Sequence, residues 1–152
     1  MLVQQNYQQN YPNKQKHQQQ INRQTTMESL EIEGIKSTYF TPHVSLNAQT
    51  GECFIKGESY LEDTWDFYRP ILTWIKEYAT TEKPLNFTFN LTYYNTSSSK
   101  CFLDIVKLLK EYQDKGGNTV VNWYYPEDDE DIMEEAEDYK QFVGININIF
   151  PY

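Results

Sequence analysis

Leu85-Asn86-Phe87-Thr88-Phe89-Asn90-Leu91-Thr92-Tyr93-Tyr94 runs directly into Asn95-Thr96-Ser97-Ser98-Ser99-Lys100, and this junction decides the fold. In the first ten residues Leu85, Phe87, Phe89, Leu91 and Tyr93 alternate with polar or aromatic neighbours, the period-two pattern of a strand with one buried face. Beyond the hydroxyls, Phe102, Ile105, Val106, Leu109 and Tyr112 recur at three and four residues, which predicts an amphipathic helix over about 99–113. Lys115-Gly116-Gly117 stops it. The run of hydroxyls therefore falls at a helix N-terminus. There the first backbone N–H groups lack intrahelical partners and the dipole favours negative charge, so a phosphate is accepted without strain. Asn95, Thr96 or one of the serines suffices as a cap, and four hydroxyls in succession exceed what a cap requires.

Working outward, Val44 and Leu46, then Cys53 and Ile55, alternate with polar residues around the turn Asn47-Ala48-Gln49-Thr50-Gly51, so residues 42–57 read as a hairpin. Trp65, Tyr68, Ile71, Leu72, Ile75 and Tyr78 form the stripe of a helix capped by Asp63 or Thr64. Pro70 removes a hydrogen bond inside it, so the helix either starts near residue 67 or kinks. After the 85–94 strand and its helix, Thr119–Tyr125 is rich in β-formers, an acidic run follows Pro126, a helix spans about 130–142, and Ile145, Ile147 and Ile149 alternate in a last strand. The order is ββαβαβαβ, an α/β fold whose mixed sheet combines parallel neighbours with one antiparallel hairpin. Strands covered on both faces read as continuous apolar runs, whereas these alternate with Asn and Thr, so the helices cover one face of the sheet only.

The chain of 152 residues suits one domain preceded by a tail. Half of residues 1–26 are Gln or Asn, and Leu2, Val3 and Ile21 are too few aliphatic residues to offset the entropy of ordering them, so this segment reads as disordered, with residues 27–152 as the folded domain. It lacks the apolar core of a signal peptide, and Met27 reads as an alternative start. The tail carries Lys14, Lys16 and Arg23 and no acid, which leaves ten basic against 22 acidic residues, a net charge of −12. Such a domain repels nucleic acid and anionic lipid, and no apolar run approaches the length of a membrane span, so its partners are expected to be proteins in the cytoplasm. Cys53 and Cys101 each sit in an apolar pattern and are expected as buried, reduced thiols.

Catalytic constellations are scarce. His17 falls in the tail and His43 beside Pro42, so the folded domain has a single histidine and no credible His/Cys or Ser/His/Asp set. Gly116-Gly117 is explained by the helix stop rather than by a phosphate-binding loop, and no Cys/His metal spacing occurs. The run Glu127-Asp128-Asp129-Glu130-Asp131 lacks the loop logic of calcium sites and reads as a solvated helix start, stabilised by the dipole. No cofactor is implied. If the strands before the hydroxyl turn and before the acidic run are parallel neighbours, both loops open at the same edge of the sheet. A partner is then expected to touch Tyr94, Asn95, Ser99 and Lys100 together with Asp128 and Asp129.

Gly57-Glu58-Ser59-Tyr60, Phe67-Tyr68-x-Pro70, the turn Tyr94–Lys100, and Val121-Asn122-Trp123-Tyr124-Tyr125 with its acidic tail, in that order, resemble the SiaC family of bacterial regulatory phosphoproteins over nearly all of residues 28–150. That family is similar in fold and logic to STAS domains, the anti-sigma-factor antagonists. The resemblance implies a Ser/Thr kinase of the histidine-kinase-like ATPase type, a PP2C-type phosphatase, and a target bound by the unphosphorylated protein, a diguanylate cyclase in the family's namesake system. It places the phosphoacceptor on Thr96, with Ser97 and Ser98 as fallbacks. The Gln-rich tail and the longer acidic loop depart from the family pattern. Two other readings compete with this non-enzymatic switch: a constitutive protein-binding module in which Thr96 only caps a helix, and a metal-dependent hydrolase built on Asp128, Asp129 and Asp131. The hydrolase lacks a base or nucleophile in a plausible pocket.

Overall fold

The computed structural model describes residues 27–152, and the tail assigned to residues 1–26 lies outside them. A six-stranded mixed sheet carries the fold, in the order β1 (Leu30–Ile32), β4 (His43–Leu46), β5 (Glu52–Ser59), β6 (Leu85–Tyr94), β7 (Thr119–Tyr125) and β8 (Asn148–Pro151). β4 runs antiparallel to its neighbours β1 and β5, while β5 through β8 are parallel neighbours. The crossovers are helices α1 (Thr64–Ala79), α2 (Thr96–Asp114) and α3 (Glu130–Val143). The expected ββαβαβαβ order is present, extended by the edge strand β1 and by a small hairpin of β2 (Ile35–Lys36) and β3 (Phe40–Thr41).

The alternation sorts the sheet into two faces. Val44, Leu46, Cys53, Ile55, Phe87, Phe89, Leu91, Val121 and Trp123 are buried under the helices together with Ile145 and Ile147, while Thr88, Asn90 and Asn148 are half-buried and Asn146 is exposed. Phe89 stacks on Trp123 at 4.3 Å between ring centroids and meets Phe102 of α2 edge-on at 5.8 Å, which joins sheet and helix layers at the centre of the core. The open face is not left to water alone. Asn148 donates to Asn122 (3.1 Å), Asn122 to Asn86 (2.9 Å) and Asn86 to Glu52 (3.4 Å), an amide ladder across four strands that satisfies its own polar groups.

One alternative is settled and two expectations are corrected. Asp63 caps α1, as expected, and the helix runs from Thr64 through Pro70, so the alternative of a start near residue 67 falls away. Pro70 is exposed and removes only the bond to the Asp66 carbonyl, a loss the buried stripe of α1 outweighs. That stripe uses Trp74, whose indole donates to the Glu28 carbonyl (2.9 Å), whereas Trp65 is 55% exposed. Tyr93, expected inward, is 53% exposed, because the register slips between Gly57 and Glu58: Leu91 faces Gly57 and Tyr93 faces Glu58, leaving Thr92 as the extra residue of a bulge. The slip turns Tyr94 towards the helices, where its ring packs edge-on against Phe102 at 5.1 Å.

Candidate functional site

The bulge decides how β6 enters α2. Asn95 keeps an extended backbone (φ −88°, ψ 172°) and caps the helix, its Oδ1 accepting from the Ser98 amide (3.0 Å) and the Ser97 hydroxyl (3.1 Å). Its side-chain amide reaches back to the Leu61 carbonyl (3.4 Å), tying the turn to the start of α1. α2 thus begins at Thr96, three residues earlier than the apolar stripe indicates, and all four hydroxyls lie in its first turn.

Their environments differ. Ser98 is fully buried, donates to the Ser59 carbonyl (3.1 Å) and continues a hydroxyl chain through Ser59 Oγ (2.7 Å) to the Tyr68 phenol (2.7 Å). Ser97 is exposed but engaged with Thr64 Oγ1 (2.8 Å), which joins the N-termini of α1 and α2. Ser99, half-buried, meets Glu135 of α3 and the Tyr139 phenol (2.6 Å). Thr96, at the first helical position, is exposed and its hydroxyl has no hydrogen bond among the described residues. No acid occupies this first turn, and Lys100 is exposed one turn further on. The environment makes Ser98 inaccessible to an enzyme without unfolding the turn and leaves Thr96 presented.

The acidic loop does share this edge, since β6 and β7 are parallel neighbours. Thr92, Tyr93 and Tyr94 line a shallow cleft with Asp129, Asp131 and Glu135. Asp129 caps α3 through the Ile132 amide (3.2 Å), and Asp128 is exposed. Glu135 accepts from Tyr94 OH (2.5 Å) and lies 2.5 Å from Tyr139 OH, a hydroxyl that also reaches the Ser99 carbonyl (2.8 Å). Burial, reinforced by the hydrogen bond and charge of Glu135, pushes both phenols well above the ordinary tyrosine range. Burial likewise pushes the Tyr68 phenol up, and both cysteines with it: Cys53 to about 12 and Cys101 to about 11. Both are free thiols, as expected.

The sequence places Ser59 only in a family motif and Thr64 only as a candidate helix cap, and singles out neither Glu135 nor Tyr139 for the site. The i,i+4 spacing of Glu135 and Tyr139 on one helix face was the available signal. Among the described residues no three His, Cys, Asp or Glu side chains converge in a metal-binding group. His43 sits on the open face, its Nε2 3.6 Å from Glu31 and its ring edge-on to Phe54. A groove lies at the far end, between the C-terminal halves of α1 and α2, around Ile75, Lys76, Tyr112 and Lys115, and gathers no nucleophile with a base. Among the described residues no helix is long and apolar enough to cross a membrane.

The profile of the SiaC family, described as a regulatory phosphoprotein family, matches residues 35–152. The chain belongs to the SiaC family. An uncharacterized protein of Pseudomonas aeruginosa strain UCBPP-PA14 is 31% identical over 116 residues, covering 76% of this chain and 90% of that protein. The crystal structure of apo-SiaC from Pseudomonas aeruginosa superimposes with a TM-score of 0.73 at 29% identity, covering 82% of this chain and 99% of SiaC. A structure of the diguanylate cyclase SiaD in complex with its activator SiaC, from the same organism, matches with a TM-score of 0.72 at 27% identity over 80% of this chain and 100% of the matched one. The mixed sheet with its helix layer is thus the SiaC architecture, and the SiaC of Pseudomonas aeruginosa is the activator bound to SiaD in that complex.

Proposed function

We propose that this SiaC-family chain is a non-enzymatic cytoplasmic switch whose unphosphorylated form binds and regulates a diguanylate cyclase. A Ser/Thr kinase of the histidine-kinase-like ATPase type phosphorylates Thr96, and a PP2C-type phosphatase reverses it. The observation that carries the reading is the sorting of the hydroxyls: Ser97, Ser98 and Ser99 are hydrogen-bonded to neighbouring elements, and Thr96 is exposed with no hydrogen bond among the described residues. The description of Pseudomonas aeruginosa SiaC as the activator of SiaD supports the cyclase as target.

The switch rests on charge. A phosphate adds about −1.5 to −2 at neutral pH, which the amides and dipole of the α2 N-terminus tolerate. A partner packed on this turn has instead to bury a near-dianion, and an unpaired interfacial charge costs several kcal/mol, tenfold in affinity for each 1.4 kcal/mol or so. Asp128 and Asp129 at the same edge add repulsion.

The test is peptide mapping of the protein after incubation with its cognate kinase and ATP, with binding of both forms to the target measured in parallel. Modification of Thr96 and loss of binding on modification are expected, and Thr96→Ala removes both. Phosphate mapped outside residues 96–99, or equal binding by the two forms, refutes the switch, the latter in favour of a constitutive binding module.

A further inference from the structure

α3 is thinly held by apolar packing. Of its residues only Ile132, Ala136 and Tyr139 are buried, against seven in α1 and seven in α2. Beside the Tyr139 phenol, which reaches the Ser99 hydroxyl (2.6 Å) and carbonyl (2.8 Å), it is tied to this edge by one carboxylate. Glu135 collects the hydroxyls of Tyr94 at the end of β6, of Ser99 in the first turn of α2 and of Tyr139 on its own helix. The first two attachment points flank Thr96 in the chain.

Thr96 and Ser99 are three residues apart in one helical turn, so their Cβ atoms are about 5–6 Å apart. A phosphate on Thr96 therefore brings a charge of about −1.5 to −2 within roughly one Debye length, about 8 Å at physiological salt, of a carboxylate bonded to Ser99. Thr96 is exposed, while Ser99 and Glu135 are half-buried, so the carboxylate end of this interaction is screened less than in open solvent. Asp129 and Asp131 line the same cleft and add to the repulsion. The phosphate also brings a second set of charged acceptor oxygens within one helical turn of the Ser99 hydroxyl, in competition with Glu135.

We infer that Glu135 transmits the phosphorylation state of Thr96 to α3: the carboxylate latches α3 onto Tyr94 and Ser99 in the unphosphorylated protein and releases it when the phosphate is present. The inference rests on Thr96 as the phosphoacceptor and adds the element that responds. Masking of the turn by a dianion and displacement of α3 then act on a partner together.

The experiment uses the full chain with phosphothreonine incorporated at position 96 during translation, so no kinase is needed, and follows amide hydrogen exchange by mass spectrometry. Peptides of α3 are expected to exchange about tenfold faster in the phosphorylated protein, with β5, β6 and α1 unchanged. The increment should largely vanish at 1 M salt, where the Debye length falls to about 3 Å. Glu135→Gln, which keeps an acceptor and removes the charge, should abolish the increment. Ser99→Ala, which removes a tether without adding charge, should loosen α3 in the unmodified protein, and it carries the test with the salt series if Glu135→Gln does not fold. Exchange in α3 that ignores the phosphate, or an equal increment in Glu135→Gln, overturns the inference. Because the phosphate is installed directly, such a failure leaves the assignment of the acceptor standing, whereas a kinase that spares Thr96 refutes that assignment alone.

Discussion

Placing the same carboxylate two residues apart in one helical turn should give opposite outcomes. Thr96→Asp puts it at an exposed first helical position with no other acid in that turn, so the dipole offsets the added charge and stability should stay within about 0.5 kcal/mol of the parent. Ser98→Asp puts it where the side chain is 0% exposed and where the hydroxyl donates to the Ser59 carbonyl. The introduced carboxyl cannot keep its charge there. Holding it neutral at pH 7 costs about 1.36 kcal/mol for each of roughly three pH units above its ordinary value near 3.9, about 4 kcal/mol in all. For a domain of this size that corresponds to a fall in Tm of about 10–20 °C. The sign with pH follows. A carboxyl whose folded pKa is raised destabilises above its unfolded pKa, so the Ser98→Asp deficit should shrink as pH falls towards 4. Thermal melts of both variants at pH 7 and pH 4 decide it. Equal melting temperatures at pH 7 would refute the claim that burial selects Thr96 over Ser98.

Phe89→Ala removes a ring packed between Trp123 and Phe102 and should cost about 3–5 kcal/mol in urea denaturation. Asp129→Ala removes the cap of α3 and should cost about 1 kcal/mol, measured the same way. Burial raises the Cys53 thiol to about 12 and Cys101 to about 11, so the stability they confer is intact below pH 9 and is lost as pH climbs through those values. Neither thiol should react readily with a thiol-specific disulfide reagent at pH 8 until the protein is unfolded.

The strand at 85–91 could be read from residues alone because only one sheet face is covered, and an uncovered face keeps its Asn and Thr. The same rule misassigned Tyr93, since a bulge inverts every later side chain and the only local sign of it is Gly57 on the neighbouring strand, at φ 110°. Trp65 fits the period of the stripe, seven residues before buried Leu72, yet it sits in the first turn of α1 at the margin of that stripe and is exposed. At the candidate site, a hydroxyl run between strand and helix locates the turn, but the run contains no information about which hydroxyl faces Ser59, Thr64 or Glu135. Glu135 in particular is one acid among many between residues 127 and 138, and only its position beside Tyr139 and above Ser99 sets it apart.

The amide ladder on the open face bears on how the chain finds its register. Glu52, Asn86, Asn122 and Asn148 each sit on a different strand, and neighbouring side chains meet only when those strands are aligned as they are here. A slip of one residue would carry an amide under the helices and an aromatic ring out to water, on the strand that slipped and on no other. Parallel strands joined by long crossovers have no tight turn to set their alignment. In this protein the amide contacts close only in the observed register, so the asparagines favour that alignment over its one-residue neighbours.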